Sequence, residues 1–208
     1  MKKILITGGT GFLGKNLLYF LSKKHKNYKL FFTSRSIERC RIAQLDLKLD
    51  FFPCDISNLN SVVDCISKIK PDTIIHCAAT KYVDLAEKFP LECIDTNVHG
   101  TLNLLRVSKN FGVKNFIVIS TDKAAPPFSN IYSLSKSIME KAIILDSVNS
   151  KINISCIRFG NLPWSTGSIF PLWEEMSKKN KMEAHSKAIM DALEEMEFGK
   201  LKQLDIQL

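Results

Sequence analysis

The sequence predicts an α/β protein in which a doubly wound parallel sheet carries helices on both faces. Short apolar runs rich in β-branched residues alternate along the chain with longer segments of helical periodicity. The apolar runs show no polar alternation, which is typical of strands buried on both sides, and the connections between them are long enough for crossover helices. A composition of 45% hydrophobic and 24% charged residues over 208 residues is globular, and it excludes disorder, collagen and a fibrous coiled coil.

Six strands are predicted, in chain order, at residues 4–7, 30–34, 49–53, 73–77, 116–120 and 152–158. A first helix follows the first strand, where apolar residues recur at three- and four-residue steps: Phe12, Leu13, Leu17, Leu18 and Leu21. Further helices are predicted over residues 57–69, 91–110 and 133–148. In such a sheet a ligand binds outside the carboxyl ends of the strands, where the strand order reverses. The candidate functional residues are therefore those that directly follow a strand.

The charge and the cysteine content of the chain indicate which ligands and which cellular compartment to expect. The 29 basic and 21 acidic residues give a net charge of +8, which suits phosphates or nucleotides, but little aromatic interleaving among the lysines predicts no nucleic-acid partner. The six cysteines form no C-x-x-C pair, so we expect no metal site, no disulfide framework and a reducing, cytoplasmic compartment. No run approaches the length of a membrane span, and the apolar run after MKK is too short for a signal peptide.

A glycine-rich loop, TGGTGFLG at residues 7–14, joins the first strand to the first helix. Glycines there let the backbone approach a pyrophosphate, which binds at the positive end of the helix. The spacing G-x-x-G-x-x-G in this strand–loop–helix context is typical of a Rossmann-like dinucleotide site, with a merely structural turn as the alternative. The predicted cofactor contacts in the loop are Thr7, Gly8, Gly11, Phe12, Leu13 and Gly14.

The end of the second strand predicts which dinucleotide binds. An acidic residue at this place accepts a hydrogen bond from a ribose 2′-hydroxyl, whereas an arginine meets a 2′-phosphate. Ser34 and Arg35 stand here, so NADP is favoured and NAD remains possible; a solvated loop charge is the alternative for Arg35. After the third strand, Asp55 and Ile56 are also predicted to contact the cofactor, with Asp55 accepting from the adenine amino group, capping the next helix, or doing both.

A candidate reaction centre follows the fifth strand. Thr121, Asp122 and Lys123 come directly after it, and Tyr132 and Lys136 lie four residues apart on a predicted helix. Residues at this spacing share a helix face, so the ammonium can lower the pKa of the phenol and also hold a ribose hydroxyl. A phenolate then removes the proton of an alcohol during hydride transfer. A surface pair without function is the alternative.

Five segments carry a resemblance to a known family: TGGTGFLG (7–14), IIHCAATKYVDLAEKFPLECIDTNVHGT (74–101), ISTDKAAPP (119–127), YSLSK (132–136), and IRFGN followed by GSIFP (157–171). On these the chain resembles the extended short-chain dehydrogenase/reductase family of NAD(P)-dependent sugar-nucleotide epimerases and dehydratases. It is most similar to the inverting UDP-N-acetylglucosamine 4,6-dehydratases of capsule and flagellin-glycan biosynthesis.

The resemblance implies a role for each member of the reaction centre. Tyr132 would deprotonate the C4 hydroxyl of a UDP-sugar as hydride passes to NADP+. Lys123 would remove the C5 proton, Asp122 would protonate the departing C6 hydroxyl, and Thr121 would hold the 4-oxygen. The dipeptide Asp-Lys distinguishes inverting dehydratases from retaining ones, which resemble Asp-Glu here, and from 4-epimerases, which lack the acid/base pair.

Further site residues are implied by the same resemblance. Ala78 and Ala79 would line the cofactor cleft after the fourth strand. Lys81 and Asn97 match cleft positions of the family, Lys81 toward both cofactor and substrate, although a helix-surface charge and an inter-element hydrogen bond explain them equally well. Asn161 would contact the pyrophosphate of the sugar nucleotide, and Ser168 would join it in binding substrate. Similar proteins form homo-oligomers through the helices predicted at residues 91–110 and 133–148.

The chain departs from the family pattern at its carboxyl-terminal end. Relatives continue into a substrate lobe, which is largely missing here, and Thr166 stands where they usually carry arginine. Lys123 and Tyr132 are nine residues apart, one more than the resemblance leads us to expect. We therefore expect residues 1–177 to form an NADP-binding Rossmann domain with the catalytic residues, and residues 178–208 to form a short, polar helical tail.

Three functions follow from this reading. The first is an NADP-dependent, inverting nucleotide-sugar 4,6-dehydratase of surface polysaccharide or glycan biosynthesis. The second is a shortened protein that binds NADP without catalysis, or that docks on a full-length partner. The third, a nucleotide-sugar 4-epimerase, is disfavoured by Lys123.

Overall fold

The computed structural model describes residues 1–148 and 150–160, the helical position Lys187, and the backbone of residues 203–206. Its strands are β1 (Lys2–Thr7), β2 (Tyr28–Thr33), β3 (Asp50–Phe51), β4 (Thr73–His76), β5 (Asn115–Thr121), β6 (Asn153–Phe159) and β7 (Gln203–Ile206). Its helices are α1 (Phe12–Lys24), α2 (Ile37–Leu47), α3 (Leu59–Ile69), α4 (Val83–Lys88), α5 (Pro90–Ile94), α6 (Gly100–Asn110) and α7 (Ile131–Ser147). A π-helical turn (Asp95–His99) joins α5 to α6, and a short 3-10 turn (Asp122–Ala124) follows β5.

All strands of the sheet run parallel, in the order β3-β2-β1-β4-β5-β6-β7. The chain moves outward from β1 to β3 and then returns to the other side of β1 at β4. The order of the strands therefore reverses between β1 and β4, where the carboxyl ends of the strands open a crevice. The predicted doubly wound α/β fold is confirmed.

Two apolar layers cover the sheet, one on each face. Ile4 and Ile6 of β1 pack into the layer that contains Leu17 of α1, whereas Leu5 packs into the opposite layer with Ile66 of α3. This alternation follows from the two-residue period of a strand, and it explains why β1 is apolar at every central position. The rigid β1–α1 unit built in this way carries the glycine loop.

Two helices of the described chain, α2 and α4, were not predicted. On α2 the large apolar side chains are mostly exposed, including Ile42 at 56% and Leu45 at 79%, and only Cys40 and Ala43 are buried. A helix with so small a buried face shows little apolar periodicity in its sequence. None of the helices in the described part of the chain is long and apolar enough to span a membrane.

The prediction of an entirely helical tail at residues 178–208 is wrong at Gln203–Ile206, which form strand β7 at the edge of the sheet. Backbone of β7 pairs in parallel with β6, with Cys156 opposite Gln203 and Phe159 opposite Ile206. The unpaired backbone groups of an edge strand favour such an addition. Apart from β7 and Lys187, the tail lies outside the described residues.

Candidate active site

The glycine loop after β1 has a backbone that only glycine fits at two positions. Gly8 has a φ of +67°, and a Cβ added there would lie 2.7 Å from the backbone nitrogen of Ala78. A Cβ on Gly14 would lie 2.4 Å from the carbonyl oxygen of Gly8. The loop is therefore folded tightly against the end of β4 and the first turn of α1.

The amino end of α1 offers hydrogen-bond donors to an anion. Gly11 caps the helix without a side-chain hydrogen bond, and the first turn holds no acidic residue. The first backbone N–H groups of a helix have no partner within it, and they lie at the positive end of its dipole. The end of α1 thus has the charge and the donors that a pyrophosphate requires.

A cleft of about 570 Å³ lies over the carboxyl ends of β1, β2 and β4. Seven of the predicted cofactor residues line it: Gly8, Gly11, Ser34, Arg35, Ile56, Ala78 and Ala79. Thr7 and Leu13 are instead buried in the core below the loop. Eight more lining residues were not predicted as contacts: Thr10, Thr33, Ser36, Glu38, Arg39, Cys54, Cys77 and Thr96. Thr10 could have been found from its place in the glycine loop, whereas the two cysteines read as apolar strand residues.

The residues after β2 are held in place by contacts with other parts of the chain. The Ser34 hydroxyl accepts a hydrogen bond from the Thr10 hydroxyl at 2.9 Å. Arg35 pairs with Glu92 of α5, with 2.7 Å between Nη1 and Oε1. Arg35 thus lines the cleft as predicted and also has a carboxylate partner that the sequence did not reveal.

Asp55 does not cap α3, so that part of its prediction is wrong. Its Oδ1 accepts hydrogen bonds from the backbone N–H of Ser57 at 3.0 Å and from the Ser57 hydroxyl at 2.7 Å. The cap is Asn58, whose side chain accepts from the backbone N–H of Ser61 at 3.1 Å. Asp55 therefore stabilises a turn in the loop, and α3 begins only after Asn58, three residues later.

A buried chain of hydrogen bonds joins β1 to the helices beyond β4. The Thr7 hydroxyl accepts from the N–H of Ala78 at 3.3 Å and donates to Nδ1 of His76 at 2.6 Å. Nε2 of His76 donates to the hydroxyl of Thr101 at 2.9 Å, and Thr101 donates to the carbonyl oxygen of Asn97 at 2.7 Å. Because the Thr101 hydroxyl gives its proton to the Asn97 carbonyl, Nε2 of His76 carries a proton, and in the neutral imidazole Nδ1 is then the acceptor.

His76 is held in that neutral form by its surroundings. Burial lowers the pKa of its imidazole to about 3, and the nearby charge of Lys136 acts in the same direction. The chain of bonds therefore fixes the positions of Ala78 and the glycine loop relative to each other.

Asn97 lies behind the cleft and is fully engaged with other parts of the protein. Its Oδ1 accepts from the N–H of Thr80 at 2.9 Å, and its Nδ2 donates to the Thr80 carbonyl at 2.9 Å and to the Ser135 hydroxyl at 3.0 Å. Only 1% of Asn97 is exposed. This arrangement matches the inter-element hydrogen bond that the sequence left open as the alternative to cofactor binding, and it ties the end of β4 to α7.

Thr121, Asp122 and Tyr132 come together at the carboxyl end of β5. The Thr121 hydroxyl donates to Oδ1 of Asp122 at 2.9 Å and is also hydrogen-bonded to the Tyr132 phenol. Thr121 is buried, whereas the side chains of Asp122 and Lys123 are exposed on the 3-10 turn. The fold thus brings the Tyr132 phenol of α7 to the Thr121 hydroxyl at the end of β5, 11 residues earlier in the sequence.

Tyr132 and Lys136 share one face of α7 as predicted, but their electrostatic relationship differs from the expectation. Burial raises the pKa of Tyr132, the hydrogen bond to Thr121 lowers it, and the charge of Asp122 raises it further. Lys136 is buried and its Nζ donates to the carbonyl of Ile119 at 2.8 Å. Because the ammonium is directed to the backbone of β5, the predicted lowering of the Tyr132 pKa is not seen in this structure.

Behind Lys136, an ion pair ties α7 to β6. Nε and Nη2 of Arg158 donate to the two carboxylate oxygens of Glu140 at 2.9 and 2.6 Å. The side chain of Glu140 is 6% exposed and that of Arg158 is 20% exposed. Burial lowers the pKa of Lys136, and the charge of Glu140, one turn along α7, raises it. A paired carboxylate therefore stands beside the buried lysine.

The remaining predicted residues are only partly placed. Lys81 follows β4 with its Nζ 6.0 Å from the centre of the Tyr82 ring, and burial lowers the pKa of Lys81. Lys81, Tyr132 and Lys136 are not among the described residues that line the cleft. Asn161 and Ser168 lie outside the described residues, as does Thr166. No group of histidine, cysteine and acidic residues in the described chain could hold a metal ion.

Comparison with known proteins gives one family and a consistent set of relatives. A family model described as polysaccharide biosynthesis protein matches residues 4–185. The UDP-glucose 4-epimerase of Rickettsia bellii is 38% identical over 189 residues, which cover 86% of this chain and 54% of that protein. The inverting UDP-N-acetylglucosamine 4,6-dehydratase of Campylobacter jejuni is 32% identical over 192 residues, which cover 88% and 55%. The chain thus spans about half the length of these curated relatives.

Solved structures share the fold. The X-ray structure of Pen from Bacillus thuringiensis superposes with a TM-score of 0.80 at 28% identity, over 93% of this chain and 67% of that one. The UDP-Glc/GlcNAc 4-epimerase of Campylobacter jejuni superposes with a TM-score of 0.79 at 20% identity, over 99% of this chain and 78% of that one. The second likeness shows the fold alone.

Proposed function

This chain belongs to the polysaccharide biosynthesis protein family, and on that premise we propose that it is an NADP-dependent, inverting nucleotide-sugar 4,6-dehydratase acting on UDP-N-acetylglucosamine or a similar UDP-sugar. The relatives named UDP-glucose 4-epimerase and UDP-N-acetylglucosamine 4,6-dehydratase confirm the predicted resemblance to sugar-nucleotide epimerases and dehydratases.

The observation that carries the proposal is the cluster at the carboxyl end of β5. Asp122 and Lys123 supply an acid and a base side by side, and Thr121 links Asp122 to the Tyr132 phenol through its hydroxyl. Oxidation at C4 requires only a base for the alcohol, which a tyrosine provides. Elimination of water across C5 and C6 requires an additional base and an additional acid, and this pair supports that second step.

The residues of the cleft fit a dinucleotide. The turn at Gly8 and the packing at Gly14 leave room for a pyrophosphate, and the amino end of α1 offers donors to it. Arg35 and Ser34 stand where a 2′-phosphate would lie, which supports NADP, with NAD as the alternative. When bound, the nicotinamide would supply a hydride acceptor and donor. The relatives with NAD in their titles, such as the UDP-glucose 4-epimerase of Thermus thermophilus, support a cofactor of this class.

In this proposal each residue moves or holds a proton at a stated atom. The Tyr132 oxygen takes the proton of the C4 hydroxyl, while Thr121 holds the 4-oxygen and the phenol in register. The Lys123 amine takes the C5 proton, which a 4-ketone makes acidic. Asp122 gives a proton to the C6 oxygen, which leaves as water, and Lys123 returns its proton to C5 when the hydride taken from C4 is delivered to C6. Lys136 would hold a ribose hydroxyl once its ammonium leaves the Ile119 carbonyl, and Asn161, Ser168 and Lys81 are proposed to bind the UDP-sugar.

Product analysis tests the proposal directly. The chain is incubated with NADP+ and UDP-N-acetylglucosamine, and the nucleotide sugars are separated and weighed by mass spectrometry. A dehydratase gives a product lighter than the substrate by one water. Recovery of unchanged substrate at high enzyme concentration would exclude dehydratase activity of this chain.

A 4-epimerase is the second candidate, because the relative of that name is 38% identical and the dehydratase relative is 32% identical. An epimerase needs Tyr132 but makes no use of an acid at C6 or a base at C5. It would convert UDP-glucose into an isomer of equal mass that chromatography separates. If an Asp122→Asn variant converts UDP-glucose as fast as the wild-type protein does, the epimerase is favoured over the dehydratase.

Binding without catalysis is the third candidate, because the chain spans about half the length of its curated relatives. A ligand present at about 100 times its Kd adds roughly 2.7 kcal/mol to the free energy of unfolding, which a thermal-shift assay detects. A shift with NADP+ and none with the UDP-sugar would favour a cofactor-binding protein or a subunit that completes its site with a partner.

A further inference from the structure

An ion pair joins the two walls of the cofactor cleft at its mouth. Arg35 directly follows β2, and its Nη1 lies 2.7 Å from Oε1 of Glu92 on α5. In the sheet, β2 and β4 lie on opposite sides of β1, and α5 belongs to the connection that leaves β4. The side chains are 57% and 54% exposed, so the pair lies at the rim and not in the core. The cleft is thus bridged from its β2 wall to its β4 wall.

Of the two arginines that line the cleft, Arg35 and Arg39, the ion pair engages Arg35, which a 2′-phosphate beside Ser34 would contact. Arg35 lines the cleft next to Ser34, and its guanidinium already has a carboxylate partner. A phosphate that reaches Arg35 must either displace Glu92 or lie a few ångströms from its negative charge. A 2′-hydroxyl carries no charge, so it neither has to displace Glu92 nor is repelled by its carboxylate. The carboxylate therefore acts differently on the two forms of the cofactor.

A carboxylate could also help a phosphate by orienting the arginine, so the sizes of the two effects matter. The contact is made through one nitrogen, which does not fix the plane of an exposed guanidinium, and exposed ion pairs contribute little. A dianion about 6 Å from a carboxylate is repelled by roughly tenfold in affinity in water, and salt reduces this to about threefold to fivefold. Repulsion of the phosphate by Glu92 and the cost of displacing Glu92 from Arg35 both weaken binding of the phosphate. Together they exceed what the phosphate gains from an arginine that Glu92 orients.

Resting on the proposed binding of NADP, we infer that Glu92 is a specificity-determining residue that weakens binding of a cofactor with a 2′-phosphate and leaves binding of one with a 2′-hydroxyl unchanged. Arg35 attracts the phosphate and Glu92 opposes it. The chain therefore discriminates less between NADP and NAD than the arginine alone would make it.

The test is calorimetric titration of the full 208-residue chain with NADP+ and with NAD+. In Glu92→Gln, NADP+ should bind about fivefold more tightly and NAD+ within twofold of wild type, with the gain shrinking at high salt. In the background of Arg35→Met the same substitution should give a smaller gain, because it then relieves only the repulsion between Glu92 and the phosphate and frees no guanidinium.

Asp64→Asn provides a matched control. Asp64 forms an exposed ion pair with Lys68 on α3 at 3.0 Å, so the variant changes the net charge equally without touching the cleft. Neither cofactor should respond to it. Unchanged or weaker NADP+ binding in Glu92→Gln, with wild type binding both cofactors, would overturn the role of Glu92 alone. Failure of wild type to bind either cofactor would overturn the proposed function and this inference together.

Discussion

The imidazole of His76 accepts a hydrogen bond from the Thr7 hydroxyl over 2.6 Å, and this bond joins β4 to β1 where the strand order reverses. Thr7 immediately precedes the glycine loop, and its hydroxyl also receives the N–H of Ala78. A neutral imidazole can accept at Nδ1 while it donates at Nε2 to Thr101. The neutral form of one buried histidine therefore makes both hydrogen bonds that tie β4 to β1 and to α6 beside the cofactor cleft.

The low pKa of His76 should make the folded protein less stable in mild acid. The pKa of the imidazole is about 3 in the folded protein and about 6.5 in an unfolded chain. Because the unfolded state alone takes up a proton between these values, the free energy of unfolding falls as the pH falls below about 6.5. From pH 7.5 to pH 5 the loss attributable to His76 is about 2 kcal/mol. Urea unfolding at a series of pH values measures it.

A His76→Gln variant is the comparison for this effect. Glutamine keeps a donor and an acceptor near the same place and does not titrate, so the variant should be less stable at pH 7.5 but lose less stability on acidification. The difference between the two curves isolates the histidine from the carboxylates that both proteins share. Parallel curves for the two proteins would contradict the neutral, buried assignment of His76.

Gly8→Ala should abolish cofactor binding and strongly destabilise the fold. Gly112→Ala should leave cofactor binding intact and destabilise the fold less. Both glycines have a positive φ, +67° and +71°, so both substitutions cost about 1–2 kcal/mol of backbone strain. Only at Gly8 would the new Cβ meet backbone, at 2.7 Å from the nitrogen of Ala78; at Gly112 nothing lies within 4 Å. Urea unfolding and NADP+ titration of both variants separate strain from steric overlap, and equal losses would refute the close approach.

Two ion pairs with the same 2.6 Å separation should differ widely in their contribution to stability. The Glu140 side chain is 6% exposed in its pair with Arg158, so Glu140→Gln leaves a buried guanidinium with less charge compensation and should cost about 3 kcal/mol. The Asp46 side chain is 55% exposed in its pair with Lys15, so Asp46→Asn should cost less than about 1 kcal/mol. Chemical denaturation of the two variants measures the loss in the free energy of unfolding. Similar losses would mean that burial does not decide what an ion pair contributes.

The sequence predicted the parts of the fold that depend on local periodicity and missed those that depend on distant partners. The parallel sheet and α1 follow from apolar periods of two and of three to four residues. By contrast, α2 exposes Ile42 and Leu45, and β7 forms only because β6 has an open edge that no local pattern announces. Neither element carries a strong periodic signal of its own.

The same division holds for the site. The loop from Gly8 to Gly14 and the cluster from Thr121 to Lys123 could be located because strand ends meet at one edge of a parallel sheet. The contact of Arg35 with Glu92 joins residues 57 positions apart, and the bond of Thr7 with His76 joins residues 69 apart. Side-chain pairing over such separations follows from tertiary structure, and a single sequence does not encode it in any readable pattern.

Tyr132→Phe should remove turnover and leave cofactor binding intact. The variant lacks the oxygen that takes the C4 proton, and its ring keeps the packing of the first turn of α7. In wild type, burial and the charge of Asp122 raise the pKa of the phenol, so the phenolate fraction grows as the pH rises. Turnover of the UDP-sugar should therefore increase with pH through the mildly alkaline range. Assays of product formation from pH 7 to pH 9.5 follow this change.

A variant at the neighbouring hydroxyl distinguishes the chemistry of Tyr132 from its position. The hydrogen bond between Thr121 and Tyr132 lowers the pKa of the phenol, so Thr121→Val should move the rise in turnover to higher pH, whereas Thr121→Ser should retain the wild-type profile. NADP+ affinity should stay within about twofold in all three variants, because Tyr132 and Thr121 are not among the residues that line the cleft. Wild-type turnover in Tyr132→Phe would refute the role of the phenol.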